Sequence, residues 1–177
     1  MKKSKIKSAF PGVHIFELEK REDDRGWLAE LFRSDQLPLD LYPQMGYVSM
    51  TKPGVMRGPH YHRQQTDYFV FLGPGDFKVH LWSADPITSR LVLSDSVYKP
   101  DPWQCHEVFE AGESHPMVII VPPGVIHGYK NISTVPGLVF NGPNALYAGE
   151  GKLYPVDEIR YEDTEEFAKW LKEHSLD

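Results

Sequence analysis

Two histidines stand one residue apart in Arg57-Gly58-Pro59-His60-Tyr61-His62, and an acid, Asp67, and a glycine, Gly73, follow them. On a β-strand, residues two apart point to the same face, so both imidazoles can enter one cavity. A third histidine sits in Pro122-Pro123-Gly124-Val125-Ile126-His127-Gly128-Tyr129-Lys130-Asn131. There a Pro-Gly turn feeds a strand that presents His127, Tyr129 and Asn131 on one side. Two chemistries suit this set. Three imidazoles and a carboxylate (His60, His62, Asp67 and His127) can hold divalent iron, manganese, nickel or zinc. Without a metal, a neutral imidazole is a suitable general base near pH 7, and the other groups line a substrate cleft. One isolated histidine would most often be a hydrogen-bonded core residue; three in two turn-bounded segments point to a site. Arg25 and Arg57, taken by themselves, read as surface ion-pair partners.

These segments need strands to carry them. Phe77 to Trp82 alternates strictly, with Phe77, Val79 and Leu81 on one face and Lys78, His80 and Trp82 on the other. Further strands are expected over Val13–Leu18, Trp27–Phe32, Gln44–Thr51, Val55–His62, Asp67–Leu72 and Arg90–Tyr98. Trp103–Phe109, Met117–Val121, His127–Ile132 and Gly137–Asn141 complete the series. Strands recurring about every ten residues, with Gly/Pro turns between them, predict an all-β sandwich or barrel. One helix is expected near the C-terminal end, with Asp163 as N-cap and Glu166 three residues on. Phe167, Trp170, Leu171 and His174 share a face of it, which should pack on the outside of a sheet or on a second subunit.

Composition narrows the function. The 177 residues suffice for one domain with a sizeable core. Glycine (14) and proline (15) suit many short strands, and 12% aromatics argue against disorder. A net charge of −6 gives no general attraction to nucleic acid or anionic membranes. The single cysteine, Cys105, cannot form an internal disulfide, which favours a reducing compartment. The lysine-rich start is not followed by an apolar stretch, so it does not read as a signal peptide. No apolar run approaches the roughly 20 residues that span a bilayer. A cytoplasmic protein with no nucleic-acid or membrane partner is expected.

The histidine segments resemble the two cupin motifs, complete in the second at its P-x-G, histidine and asparagine positions, and with Asp67 where the first usually has glutamate. The flanking residues are similar to a narrower family. Asp24-Arg25-Gly26-Trp27-Leu28-Ala29-Glu30-Leu31-Phe32, Gly54-Val55-Met56-Arg57-Gly58-Pro59-His60-Tyr61 and Val121-Pro122-Pro123-Gly124-Val125-Ile126-His127-Gly128 resemble, in order and spacing, three signature segments of the dTDP-4-dehydrorhamnose 3,5-epimerases. The resemblance spans roughly residues 11–161. It implies a cupin-type jelly roll over 1–161 with the helix of 162–177 packed on it. It further implies a homodimer that needs no cofactor, and a dTDP-4-keto-6-deoxyhexose epimerised at C3 and C5, or at C3 alone, for deoxysugar or surface-polysaccharide synthesis. His60 would be the base, with Asp157 orienting it. Arg25, Glu30 and Arg57 would contact the nucleotide, and His62, His127 and Tyr129 would line the cleft. The family's enolate-stabilising lysine aligns with Tyr68 and its catalytic tyrosine with Phe140, so Tyr147 or Tyr129 is expected to substitute for the latter. The metal-dependent enzyme on His60, His62, Asp67 and His127, and a non-catalytic nucleotide-sugar-binding protein, are the alternatives.

Overall fold

The computed structural model describes residues 5–83, 103 and 105–174. Its strands are β1 (Lys5–Ile6), β2 (His14–Glu17), β3 (Arg21–Asp23), β4 (Gly26–Leu28), β5 (Tyr47–Thr51), β6 (Met56–Tyr61), β7 (Asp67–Phe71), β8 (Asp76–Ser83), β9 (His106–Gly112), β10 (Met117–Val121), β11 (Val125–Asn131), β12 (Gly137–Asn141) and β13 (Ile159–Arg160), and a helix, α1, covers Glu165–Glu173. Six strands form one antiparallel sheet in the order β1-β2-β10-β7-β12-β5; five form a second in the order β13-β6-β11-β8-β9. The two sheets pack face to face as the jelly-roll sandwich that the sequence predicts.

Period-two alternation builds the layers. Phe69 and Phe71 of β7, Phe77, Val79 and Leu81 of β8, Ile119 and Val121 of β10 and Val139 of β12 point inward and form the central core. Their alternates Tyr68, Val70, Val118 and Ile120 point outward, where Leu31, Leu37, Leu41 and Phe140 cover them. On the opposite outer face, Trp82 and Ile126 meet Trp103, Phe167 and Trp170. Helix α1 is therefore a lid on the five-stranded sheet. Its N-cap is Thr164, whose Oγ1 accepts from the Phe167 N–H at 3.3 Å, one residue later than the expected Asp163.

Other departures have simple causes. The expected strand Trp27–Phe32 shrinks to Gly26–Leu28, because β4 pairs only with β3 and no wider sheet extends it. This hairpin leaves Trp27 and Leu28 exposed. The strand expected to begin at Trp103 begins at His106, while Trp103 packs against Phe167 of the helix. The strand expected over Arg90–Tyr98 lies outside the described residues.

Candidate functional site

The histidines meet because two strands come unusually close. A side chain at Gly58 would place its Cβ 2.6 Å from the carbonyl oxygen of His127, and the residue sits at φ +82°. Glycine is the residue that tolerates both. Beside it the pairing of β6 with β11 shifts register between His127 and Tyr129, which leaves His60 directly opposite His127. The two rings stand 4.6 Å apart, and His62 lies 5.5 Å from His60. Asp67 arrives from across the sandwich. It opens β7 in the other sheet, so the change of sheet between β6 and β7 turns its carboxylate toward the histidines.

The resulting cluster is buried and short of protons. Asp67 Oδ2 lies 3.1 Å from His62 Nε2 and 3.0 Å from His127 Nε2. Its Oδ1 accepts from the Gln65 and Asn141 side-chain amides, both at 2.9 Å. The Nδ1–H of His127 donates to the Val125 carbonyl at 2.9 Å, and that of His62 to the Asp157 carbonyl. With both Nδ1 protons committed, each Nε2 turns toward the carboxylate, where a neutral ring would present a lone pair and a protonated one a hydrogen. Burial alone would raise the Asp67 carboxyl, but the two neighbouring rings hold it well below the usual carboxylate range. Burial likewise opposes charge on His62, and the facing Asp67 outweighs it and raises that ring above its ordinary value.

His60 differs from its neighbours. Burial first, and then the nearby His127, push it down to about 2, so this ring is neutral at any physiological pH. Its Nδ1 faces Glu158 Oε1 at 3.8 Å, longer than a hydrogen bond but close enough to stabilise a charged ring. Glu158 is held in turn by Arg160, whose Nε and Nη2 both lie 2.7 Å from its Oε2.

These groups open into a cleft of about 940 Å³ between the sheets. Arg57, Tyr129, Tyr147 and Asp157 line it together with His60 and His62, so these six expected site residues share one cavity. Arg57 donates from Nε to Thr51 Oγ1 at 2.9 Å and from Nη2 to the Met50 carbonyl at 2.7 Å, which lays it along β5. Tyr129 exchanges a 2.8 Å hydrogen bond with Ser49 across the cleft, and Tyr147 is half exposed at the mouth.

Three expected residues lie outside it, and one in its wall, Asp157, does not do what was expected of it. Tyr68 follows Asp67 directly on β7, so it points to the opposite face. Its hydroxyl donates to the Leu31 carbonyl at 2.9 Å, and its ring lines a separate cavity of about 330 Å³. Asp157 does not face His60. Its carboxylate accepts the backbone N–H groups of Arg63, Gln64 and Gln65, and the acid facing His60 is Glu158. Arg25 is paired with Asp23 at 2.5 Å on the exposed hairpin, and Glu30 lies near Arg33 at 3.7 Å; neither lines the cleft of its own chain. Phe140, aligned with a catalytic tyrosine, faces the outer layer, where no side chain could reach the cleft.

Glu158 and Tyr47 are among the cleft residues that escaped the sequence reading. Glu158 directly follows Asp157 in the chain, and that adjacency is the one sequence signal for it. Tyr47 lines the cleft from β5, where the alternation Tyr47, Ser49, Thr51 marks the inward face.

Comparison with known proteins agrees with this architecture. Residues 21–121 match the family model described as the polysaccharide biosynthesis C-terminal domain. The spore coat polysaccharide biosynthesis protein SpsL of Bacillus subtilis (strain 168) is 34% identical over 125 residues, covering 71% of this chain and 74% of that protein. The probable low-salt glycan biosynthesis epimerase Agl13 of Haloferax volcanii is 34% identical over 141 residues, covering 77% and 82%. Among solved structures, NovW, a 4-keto-6-deoxy sugar epimerase of Streptomyces spheroides, superposes with a TM-score of 0.68 at 19% identity, over 92% of this chain and 75% of that one. No described helix is long and apolar enough to cross a membrane.

Proposed function

We propose that this chain, which belongs to the polysaccharide biosynthesis C-terminal domain family, is a nucleotide-sugar epimerase that removes protons alpha to a keto group. One observation carries the reading: a largely buried, neutral imidazole, His60, opens into a cleft with a carboxylate 3.8 Å from its Nδ1. A neutral ring can take a proton; a ring pushed so far down needs a counter-charge once it has done so, and Glu158 is placed to supply one. The cleft has room for a sugar and part of a nucleotide. Arg57, Arg160 and Lys152 in its wall offer positive charge to a diphosphate. The substrate is a dTDP-4-keto-6-deoxyhexose, supplied to surface-glycan synthesis in the cytoplasm.

The working unit is a homodimer. The β3–β4 hairpin carries Trp27 and Leu28, 50% and 60% exposed, and has no sheet of its own chain beside it. Strand β5 is an edge strand that exposes Val48 and Met50. Apolar surface of this kind favours a partner. Arg25 and Glu30, outside the cleft of their own chain, would then contact nucleotide only in a partner's cleft.

A second reading is favoured by the convergence of lone pairs at Asp67 Oδ2, His62 Nε2 and His127 Nε2. Both rings donate through Nδ1 to backbone carbonyls, the arrangement that fixes the Nε2 tautomer in metal-binding histidines. The donor set fits a divalent transition metal, with His60 completing it. Such an ion would supply Lewis-acid polarisation of the substrate carbonyl.

The test of the first reading is incubation with a dTDP-4-keto-6-deoxy sugar in deuterated water. Deuterium should enter C3, C5 or both, detected by mass spectrometry or NMR, and His60→Ala should abolish it. A parent protein that exchanges no hydrogen with any 4-keto nucleotide sugar refutes the reading. Metal analysis of the purified protein, with activity before and after chelation, decides between the two readings.

A further inference from the structure

We propose that Tyr47 is the proton donor of the epimerisation, a role that rests on the reading of the cleft given above. The argument starts from a backbone group whose hydrogen cannot move. The Tyr68 N–H donates to Asn141 Oδ1 at 3.0 Å, which fixes the orientation of the buried Asn141 amide. Its Nδ2 must therefore face the other way. One N–H reaches Asp67 Oδ1 at 2.9 Å and the other reaches the Tyr47 hydroxyl at 2.9 Å. The phenolic oxygen is thus compelled to accept, and its own hydrogen is left to donate. No other partner for that hydroxyl is present among the described residues, and Tyr47 lines the cleft.

The placement is complementary to the base. His60 stands on β6 of the five-stranded sheet and Tyr47 on β5 of the six-stranded one, so the two act from opposite walls. The walls are tied across by Ser49 to Tyr129 and by Arg57 to Thr51. Inversion at carbon needs this arrangement, with one group removing a proton from one face and another returning a proton to the opposite face. The phenol also keeps its proton: although the residue is 46% exposed, desolvation of its hydroxyl, partly offset by the hydrogen bond from Asn141, pushes it up to about 12. Tyr129 is less suited, because its hydroxyl is shared with Ser49 and its ring is buried.

In the step itself, His60 takes the hydrogen alpha to the ketone as a proton. The C–H electron pair moves into the adjacent carbon–carbon bond, and the carbonyl becomes an enolate. As the enolate collapses, a new C–H bond forms on the opposite face with the phenolic hydrogen of Tyr47. The imidazolium then loses its proton to solvent, and the phenolate regains one from solvent through the open mouth.

The test compares the parent and Tyr47→Phe in deuterated water, following solvent deuterium in recovered substrate separately from inverted product. In Tyr47→Phe, deuterium should still enter recovered substrate with retained configuration, because the His60 imidazolium can exchange its proton for solvent deuterium before returning a hydron to the same face. Inverted product should fall at least about a hundredfold, as for loss of a general acid. Retained exchange also shows that the Tyr47→Phe fold and base are intact. Inversion at the parent rate in Tyr47→Phe overturns this role alone and leaves the epimerase reading standing. Equal loss of exchange and inversion overturns it too, because the residue would not then be specific to reprotonation. A parent that exchanges nothing overturns the epimerase reading and this role together.

Discussion

Asp67→Asn separates the two readings of the histidine cluster, because the contacts of Asp67 can be counted. Oδ1 accepts two amide hydrogen bonds at 2.9 Å, and an asparagine carbonyl in its place would keep both. Oδ2 faces two Nε2 atoms at 3.1 and 3.0 Å. In the metal-free protein at least one of these rings must carry a second proton to satisfy Oδ2, since both Nδ1 hydrogens are committed elsewhere. An asparagine NH2 there has two hydrogens for two lone pairs, so the rings could both be neutral and all four contacts survive. The change trades a charge-assisted hydrogen bond, worth about 1.5–3 kcal/mol, for neutral ones worth about 0.5–1.5 kcal/mol each. Metal-free Asp67→Asn should therefore lose only about 1 kcal/mol in urea unfolding. In a metal-loaded protein the same substitution removes the only anionic ligand. Metal content of the purified variant should then drop sharply, and chelator should no longer lower its melting temperature although it lowers the parent's. A loss above about 4 kcal/mol in chelator-treated protein would refute the count of contacts, because that magnitude belongs to an uncompensated buried charge.

Three further outcomes follow from the geometry. Arg57→Ala should weaken binding of a nucleoside diphosphate by about 1.5–3 kcal/mol, the worth of a charged hydrogen bond; an unchanged affinity in calorimetry would remove Arg57 from the nucleotide site. Trp170→Ala should cost about 3–5 kcal/mol by chemical denaturation, since the ring is buried between Trp82, Phe167 and His174 beneath α1. His80 is almost wholly buried, and burial followed by the nearby His106 pushes it down to about 4. Between its unfolded value near 6.5 and about 4, the unfolded chain binds a proton that the folded chain refuses. Stability should therefore fall by about 3 kcal/mol as pH drops through that window. An unfolding series from pH 7.5 to 4 should show a steeper slope for the parent than for His80→Gln, and equal slopes would contradict the assignment.

How much of this was legible in the sequence depends on which rule each residue obeys. Phe77, Val79 and Leu81 point inward and Trp82 outward as strict alternation requires, and the Phe167/Trp170 face of α1 packs on a sheet as its spacing requires. The same rule applied to β7 already contradicts a cleft role for Tyr68. If Asp67 and Phe69 face the interior, the residue between them cannot, whatever an aligned family has there. Phe140 is the same case, one residue before the inward Asn141. Alignment carried chemical identity along the chain, whereas strand parity decides which identities can reach the cavity. Two features lay beyond both. The approach of Asp67 from the opposite sheet depends on the chain changing sheets after His62, which no local pattern encodes. The availability of the Tyr47 hydrogen depends on a relay running from a backbone N–H on β7 through Asn141 on β12 to β5. These strands are separated in sequence but adjacent in the sheet, so only the strand order reveals that a phenol stands across the cleft from His60.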